Sequence, residues 1–463
     1  MKLRLFNSLS KKKEIFKPIN SGEVGMYTCG PTVYDYAHLG NFRTFIFEDL
    51  LKRWLIHLGY SVKHIMNITD IDDKTIKKAQ THGVKLETIT DYYTSEFMRD
   101  LKWLKIIPAD SFPRATKHIK EIISLIQVLI EKNHAYVEED GSVYFKINSF
   151  RDYGRLTGLN IKGQQNNHRI HKDEYEKNLA SDFALWKGWK KEDGDTMWNA
   201  PWGSGRPGWH IECSAMSTSA LGDHFDIHCG GVDNLFPHHE NEIAQSVCAT
   251  GRPFVNFWMH SEHLLFDSEK MSKTSGNYYK IQELKMKKFT PESLRYLLLS
   301  GHYRTKISFS IDKKHESDKV IEKVSNFYMK LVENRKNLKS TNILPGVYSS
   351  FRDAMNDDLN TPQALGIFFK WMKLFSAQLE DKSIKSSEIS SALNFFNIFN
   401  SIFGFKVDFA MNVPESVREL LISRNEARMN KNWSLSDRIR DQIKNEGWIV
   451  VDTKDGQKLK KHQ

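Results

Sequence analysis

Apolar positions along the chain alternate between two rhythms. Gly25-Met26-Tyr27-Thr28-Cys29 is a short, mostly apolar run of the kind a buried strand makes, and Gly30-Pro31 stops it. From Phe42 the spacing becomes helical. Phe47, Leu50 or Leu51, Trp54 and Leu58 recur every three or four residues, and Gly59 supplies a C-terminal stop. Residues 62–66 return to a strand pattern before the polar run Asn67-Ile68-Thr69-Asp70-Ile71-Asp72-Asp73. Strand, glycine-bearing turn, helix and strand form a βαβ unit, the opening of a parallel, nucleotide-binding α/β sheet. The same alternation resumes later, with strands predicted at 225–228 and 254–259 and a helix from Pro237 through Ala244.

Between these halves the pattern changes. Ile119, Ile122, Ile126 and Leu129 mark a helix, and 141–147 reads as a strand. The polar, weakly periodic stretch Gly163-Gln164-Gln165-Asn166-Asn167-His168 then follows, so the region from about 110 to 205 reads as an insertion on the sheet domain. Thr290-Pro291 opens a helix with Leu294, Leu297 and Leu298 on one face, closed by Gly301. From about Asp312 the rhythm is helical almost throughout, with 340–350 as a linker between helices.

Bulk properties narrow the class. A chain of 463 residues is too long for one core and divides into two to four domains. Its 40% hydrophobic and 12% aromatic content suffices for globular packing and argues against disorder. No apolar run approaches the roughly 18 residues of a membrane span, and residues 1–7 lack the apolar core of a secretion signal. Cys29, Cys213, Cys229 and Cys248 are few and scattered, which suits a reducing cytoplasm with thiols available for metal or chemistry. The net charge of +10, from 67 basic and 57 acidic residues, favours a polyanionic partner without establishing one.

Four segments carry candidate chemistry. In Glu269-Lys270-Met271-Ser272-Lys273-Thr274-Ser275-Gly276-Asn277, two lysines stand among hydroxyl residues with no apolar periodicity to pack them. Such a loop can grip a polyphosphate, though by itself it reads first as solvated surface. His38-Leu39-Gly40-Asn41 falls at a strand-to-helix turn, where a helix N-terminus and an imidazole can donate to phosphate oxygens. Gly230-Gly231-Val232-Asp233 follows a strand end, where glycines admit a nucleoside and a carboxylate can accept from ribose hydroxyls; for the isolated motif a tight turn with an Asp helix cap is the favoured reading. His238 and Glu242, four apart in a predicted helix, share a face and make a usable pair of zinc ligands. Spacing does not choose among the four thiols, and no CxxC pair exists.

Taken together, these segments resemble the adenylate-site signatures of class I aminoacyl-tRNA synthetases: HLGN, GGVD and KMSKT, in that order. Tyr27-Thr28-Cys29-Gly30-Pro31-Thr32-Val33-Tyr34-Asp35, Asn67-Ile68-Thr69-Asp70-Ile71-Asp72-Asp73-Lys74, Arg206-Pro207-Gly208-Trp209-His210-Ile211-Glu212-Cys213-Ser214 and Phe236-Pro237-His238-His239-Glu240-Asn241-Glu242 resemble the cysteinyl-tRNA synthetase family in particular. The match runs essentially end to end.

The resemblance implies an α/β architecture with a Rossmann-like catalytic domain in two halves, 1–110 and 206–265, around a connective insertion at 111–205. It implies a KMSKT loop and stem-contact region at 266–311, a helical bundle at 312–410 and a small anticodon-binding module at 411–463. It places zinc, one ion per subunit, on Cys29, Cys213, His238 and Glu242. Gly30, Thr69 and Trp209 complete an amino-acid pocket. His38, Asn41, Lys270 and Lys273 serve the phosphates of ATP with Mg²⁺, Lys273 foremost, and Gly40, Gly230, Gly231 and Asp233 hold the nucleotide. The implied activity is a cytoplasmic ligase, monomeric and without membrane attachment, that activates L-cysteine with ATP and transfers it to tRNA(Cys). Two alternatives fit parts of the pattern: a paralogue joining cysteine to an amino sugar, and a non-catalytic tRNA-binding homologue. The chain departs from the family's usual pattern at Asn41, commonly His, at Thr274, commonly Ser, and at Cys229, commonly Gly. It also lacks the usual aromatic after the last glycine. A basic C-terminal stretch, with a capping box at Ser434-Leu435-Ser436-Asp437 and a helix bearing Arg438, Arg440 and Lys444, is the expected tRNA contact.

Overall fold

The computed structural model describes residues 1–158, 169–170, 182–266, 269–270, 278–334, 344–381, 383–405, 414–453 and 456–461. The polar stretch 163–168 and Lys273 lie outside them, and of Lys270 only the backbone is described. Chain contacts divide the molecule into two compact units, Met1–Phe405 and Lys406–Gln463.

The first unit is built on four parallel strands. Strand β1 (Glu23–Thr28) leads through a loop to helix α1 (Leu39–His57) and on to strand β2 (Ser61–Met66). Helices α2 (Asp73–His82) and α3 (Leu86–Trp103) follow. After the insertion come helix α4 (Trp209–Leu221), strand β3 (Phe225–Gly231), helix α5 (Glu240–Thr250) and strand β4 (Val255–Ser261). Spatial order is β4-β3-β1-β2, with Met26 opposite Ile227 and Thr28 opposite both Cys229 and Met66. Strands in such a sheet are covered on both faces, so they read as continuous apolar runs: Phe225, Ile227, Met26 and Tyr27 are all buried. Helix α1 is buried nearly all round, with Phe42, Ile46, Leu50 and Trp54 inaccessible. Each such side chain contributes about 1.5–3 kcal/mol.

Helix α1 starts three residues earlier than its apolar rhythm predicts. His38 and Asn41 cap each other: Asn41 N–H donates to His38 Nδ1 (3.3 Å) and His38 N–H to Asn41 Oδ1 (3.1 Å). The helix predicted from Pro237 begins instead at Glu240, because Leu235–His239 forms a wider turn with Phe236 extended.

The insertion folds as an antiparallel sheet containing Ala135–Val137, Val143–Phe145, Asp182–Gly188, Gly203–Pro207 and Trp198–Ala200 in that spatial order. It shares a core with the helix Ile119–Glu131 and with α4 and α5 through Phe145, Phe183, Ile211 and Ala244. Lys314–Glu333, Val347–Asn356, Thr361–Glu380 and Ser386–Phe403 form helices packed around Phe351, Phe395 and a stacked Phe368–Phe399 pair. The second unit pairs helices Glu415–Met429 and Trp433–Asn445 with the hairpin Trp448–Thr453/Gly456–Lys461, over a core of Val417, Ile439, Ile443, Trp448 and Val450. Its second helix is capped by Asn432, whose side chain accepts from Leu435 N–H, and not by the expected box at Ser434.

Candidate active site and metal centre

Strand order reverses between β1 and β3, and an open α/β sheet takes its ligands in the crevice outside the carboxyl ends of such a pair. Both ends carry chemistry. Cys29 follows β1, and its N–H donates to Cys229 O on β3 (3.2 Å). Gly30 has no room for a side chain, since a Cβ there would stand 1.7 Å from Asn67 O. Its N–H donates to Asn67 Oδ1 (2.9 Å), and Asn67 Nδ2 donates to Thr69 Oγ1 (3.1 Å). Thr69 N–H also donates to Pro31 O (3.2 Å), so Gly30 and Thr69 sit side by side at the mouth of β1.

Four donor groups converge beside them. Ligand atoms of Cys29, Cys213, His238 and Glu242 all lie within 4.8 Å of one another. Cys213 comes from α4, His238 from the turn before α5, and Glu242 from the first turn of α5. The four-residue spacing brings His238 Nε2 within 3.1 Å of Glu242 Oε1. Trp209, at the start of α4, stacks on His238 with ring centroids 4.5 Å apart.

A second quartet, Cys29, His228, His239 and Glu242, satisfies the same distance limit. Hydrogen bonding separates the two. His228 Nε2 pairs with Glu242 Oε2 (2.9 Å), His239 Nε2 with Cys29 Sγ (3.3 Å) and His239 Nδ1 with His260 Nε2 (2.8 Å). That quartet is closed without a cation. In the first, His238 Nδ1 is spent on His210 Nδ1 (2.9 Å), which leaves Nε2 facing Glu242 Oε1, a buried oxygen with no hydrogen-bond partner. An orphaned carboxylate oxygen beside an imidazole nitrogen and two sulfurs is a donor set that fits zinc.

Protonation is compatible with a metal at this quartet. Burial pushes His238 down to about 3 despite the charge of Glu242, so its imidazole is neutral, the form that coordinates metal. Burial, then the hydrogen bond and charge of Cys213, raises the Cys29 thiol well above its ordinary value. A cation at the sulfurs offsets that penalty.

The nucleotide side gathers around α1. His38, Gly40 and Asn41 occupy its N-cap and first turn, where backbone N–H groups and the helix dipole favour an anion. Gly231 lies beside them, a Cβ on it standing 3.5 Å from Thr44 Oγ1. Gly230 packs on His239, where a Cβ would come within 2.8 Å of the ring. Asp233 sits just beyond, 3.5 Å from His263 Nδ1. Lys270 pairs backbone-to-backbone with Leu265 in a small sheet, and after the lysine loop the chain returns to α1, with Leu39 N–H donating to Tyr279 O (2.8 Å). Both described ends of the loop are therefore anchored, the second beside His38.

His228, His239 and His260 were not singled out as site residues from the sequence. His260 continues the row to Ser8 Oγ (2.8 Å), and burial drives down the pKa values of His239 and His260, the latter to about 3. Their signal was a histidine inside otherwise apolar strands, at 228 and 260, where a charged side chain has no solvent to face.

Residues 15–319 match the family model described as tRNA synthetases class I (C) catalytic domain, and residues 350–408 match the DALR domain. A protein of Brachyspira hyodysenteriae named cysteine–tRNA ligase is 45% identical over 472 residues, covering 98% of each chain. One of Chlamydia trachomatis with the same name is 43% identical over 479 residues, covering both chains completely. Among solved structures, Mycobacterium tuberculosis methionyl-tRNA synthetase with methionyl-adenylate aligns at a TM-score of 0.60, 14% identity, covering 82% of this chain and 92% of that one. The LeuRS–tRNA–LeuAMS complex of Agrobacterium radiobacter aligns at 0.62, 10% identity, covering 84% and 85%. These two share the fold.

Proposed function

The chain belongs to the cysteine–tRNA ligase family, and from that premise we propose how its residues carry the reaction. The carboxylate of L-cysteine attacks the α-phosphate of ATP in line and pyrophosphate leaves. A ribose hydroxyl of the terminal adenosine of tRNA(Cys) then takes the cysteinyl group, and AMP leaves. No protein nucleophile is required. Catalysis consists of positioning and of stabilising charge on the phosphorus.

The N-terminus of α1, with His38 and Asn41, receives the ATP phosphates. Asn41 uses its oxygen on the His38 cap, so its amide N–H₂ is the group free to donate outward. Gly40, Gly230, Gly231 and Asp233 hold the nucleoside, and Lys270 and Lys273 neutralise the β- and γ-phosphates together with Mg²⁺. Gly30, Thr69 and Trp209 shape the amino-acid pocket. Cys29, Cys213, His238 and Glu242 would hold one zinc ion per chain, which would supply a soft centre that prefers the thiolate of substrate cysteine to a serine hydroxyl. His210 and His228 orient the two ligands they touch, His238 and Glu242. The four free thiols suit a reducing cytoplasm.

The observation that carries this assignment is the orphaned Glu242 oxygen facing His238 within the thiol cluster. The test is ATP–pyrophosphate exchange. Exchange should depend on cysteine, fail with serine and fall with zinc chelation, and adding tRNA(Cys) should yield cysteinyl-tRNA. Exchange with no product on tRNA would overturn the ligase reading. Lys273→Ala should lose exchange by about 10²–10³-fold while still binding zinc, and unchanged exchange would overturn that role.

A further inference from the structure

Arg43 is buried two residues beyond Asn41 on α1, and the reaction as assigned gives it no task. Among the described residues its guanidinium donates to backbone carbonyls alone. Nε donates to Glu262 O (2.9 Å) and Nη1 to Leu298 O (3.2 Å). Nη2 donates to Thr305 O (2.6 Å) and His302 O (3.2 Å), with Tyr303 O at 3.5 Å. One side chain thereby ties three pieces of chain: the residue after β4, the end of the helix Pro291–Leu299 and the turn 302–305.

A buried charge is costly to keep. Burial pushes the guanidinium down to about 10, which still leaves it charged at neutral pH. Its planar fork of donors holds several acceptors in one geometry, which an ammonium on a flexible stem does not. Bonds to carbonyls fix the main chain itself, whatever side chains those residues carry.

That main chain leads directly to Lys270. Strand Leu264–Phe266 starts two residues after Glu262 and pairs in parallel with Ile307–Phe309, which starts two residues after Thr305. The same strand pairs antiparallel with Glu269–Lys270, Leu265 opposite Lys270. Arg43 therefore holds the entry to both strands whose sheet carries Lys270, and Glu262 N–H closes the junction on Tyr303 O (2.8 Å). Leu39, Arg43 and Phe47 follow one another at four-residue spacing, so they lie along one face of α1. Leu39 N–H holds Tyr279 O (2.8 Å), and Phe47 stacks on Tyr303 with ring centroids 4.2 Å apart. The face that begins at the His38 cap is thus the one on which the lysine sheet is seated.

We propose that Arg43 is a positioning residue for adenylate formation, setting the strand of Lys270 at a fixed distance from the phosphate-receiving N-terminus of α1. His38 and Lys270 must meet phosphates of a single ATP, so the separation of helix and strand is part of the site. This rests on the reading in which Lys270 serves the ATP phosphates.

The experiment is a double-mutant cycle in the full chain, read by cysteine-dependent ATP–pyrophosphate exchange. Arg43→Lys keeps the charge and loses the fork. It should lower the kcat of exchange about 10²-fold, the cost of a misplacement of about 1 Å. Bound zinc and the KM for cysteine should match the unmodified protein, because the hydrogen bonds of Arg43 reach none of the residues proposed for them. Lys270→Ala should lower exchange on its own. Added to Lys270→Ala, Arg43→Lys should cost less than about threefold more, because effects transmitted through one group do not add. A further loss as large as in the single variant would show that Arg43 acts independently of Lys270 and overturn its role. Full exchange by Arg43→Lys, or loss of zinc or of cysteine affinity along with exchange, would overturn it as well. Failure of the underlying reading is distinct: Lys270→Ala alone would then exchange like the unmodified protein, and the role of Arg43 would fall with it.

Discussion

One methyl group at position 30 is enough to disturb the proposed metal centre. A Cβ on Gly30 would stand 1.7 Å from a backbone oxygen, which cannot rotate away as a side chain does. Gly30→Ala must therefore move the turn that carries Cys29, and the variant should lose bound zinc and cysteine-dependent exchange together; retained zinc by metal analysis would refute the coupling. His64 offers a second residue-scale test. It is buried on β2 against Thr28 Oγ1 (2.9 Å), and burial, aided by Lys52, pushes it down to about 3. Above the unfolded value near 6.5 the ring is neutral in both states. Between about 6.5 and 3 the unfolded chain takes up a proton that the folded chain refuses. Stability therefore falls with acidity, by up to roughly 1.4 kcal/mol per pH unit for one such histidine. His64→Gln should flatten the fall in Tm between pH 7 and pH 5, and an unaltered slope would assign it elsewhere. At this scale the sequence is informative where spacing carries the chemistry, as with His238 and Glu242. It is silent on which two of four thiols join them, because that depends on strand order bringing the end of β1 beside α4.

Elements are legible where one local pattern decides them. The βαβ opening follows from a switch in apolar period, and α1 lies where that period places it. Its start is not legible from apolar spacing, because it is fixed by the His38–Asn41 cap, a polar exchange that a hydrophobic rhythm does not register. Nor does local pattern show what ties α1 to the rest. Asp49 on α1 meets Arg295 of the helix Pro291–Leu299 at 2.8 Å with both side chains fully buried. Arg295 Nε also donates to Phe403 O (2.8 Å) and Nη1 to Leu104 O (3.2 Å). Removing the guanidinium strands a carboxylate and two carbonyls. Arg295→Ala should therefore cost about 3–5 kcal/mol, read as a lower denaturant midpoint at unchanged slope. A loss under about 1 kcal/mol would mean that Arg53, also on Asp49 at 2.8 Å, carries the charge alone.

At the scale of the whole molecule, the two compact units invite a test that separates the two steps of the reaction. The second unit rests on a small core, supplemented by Arg424, whose buried guanidinium grips Asp452 through both oxygens at 2.9 and 3.0 Å and also donates to Gln457. Arg424, Arg428 and Arg440 together hold the Asp452 carboxyl below its usual range, Arg424 foremost. Removing Arg424 leaves Asp452 to two half-exposed partners and empties the buried position between helix and hairpin. A unit with so few core side chains has little stability to spare. Arg424→Ala should thus unfold the second unit within the intact chain, visible as new proteolytic cleavage beyond Phe405. Every residue proposed for adenylate chemistry belongs to the first unit, so cysteine-dependent exchange should persist. On the proposal that this unit contacts tRNA phosphates, charging of tRNA should fall by about tenfold or more. Full charging by the cleavable variant would remove tRNA recognition from this unit, and loss of exchange would show that the first unit depends on the second for its own fold.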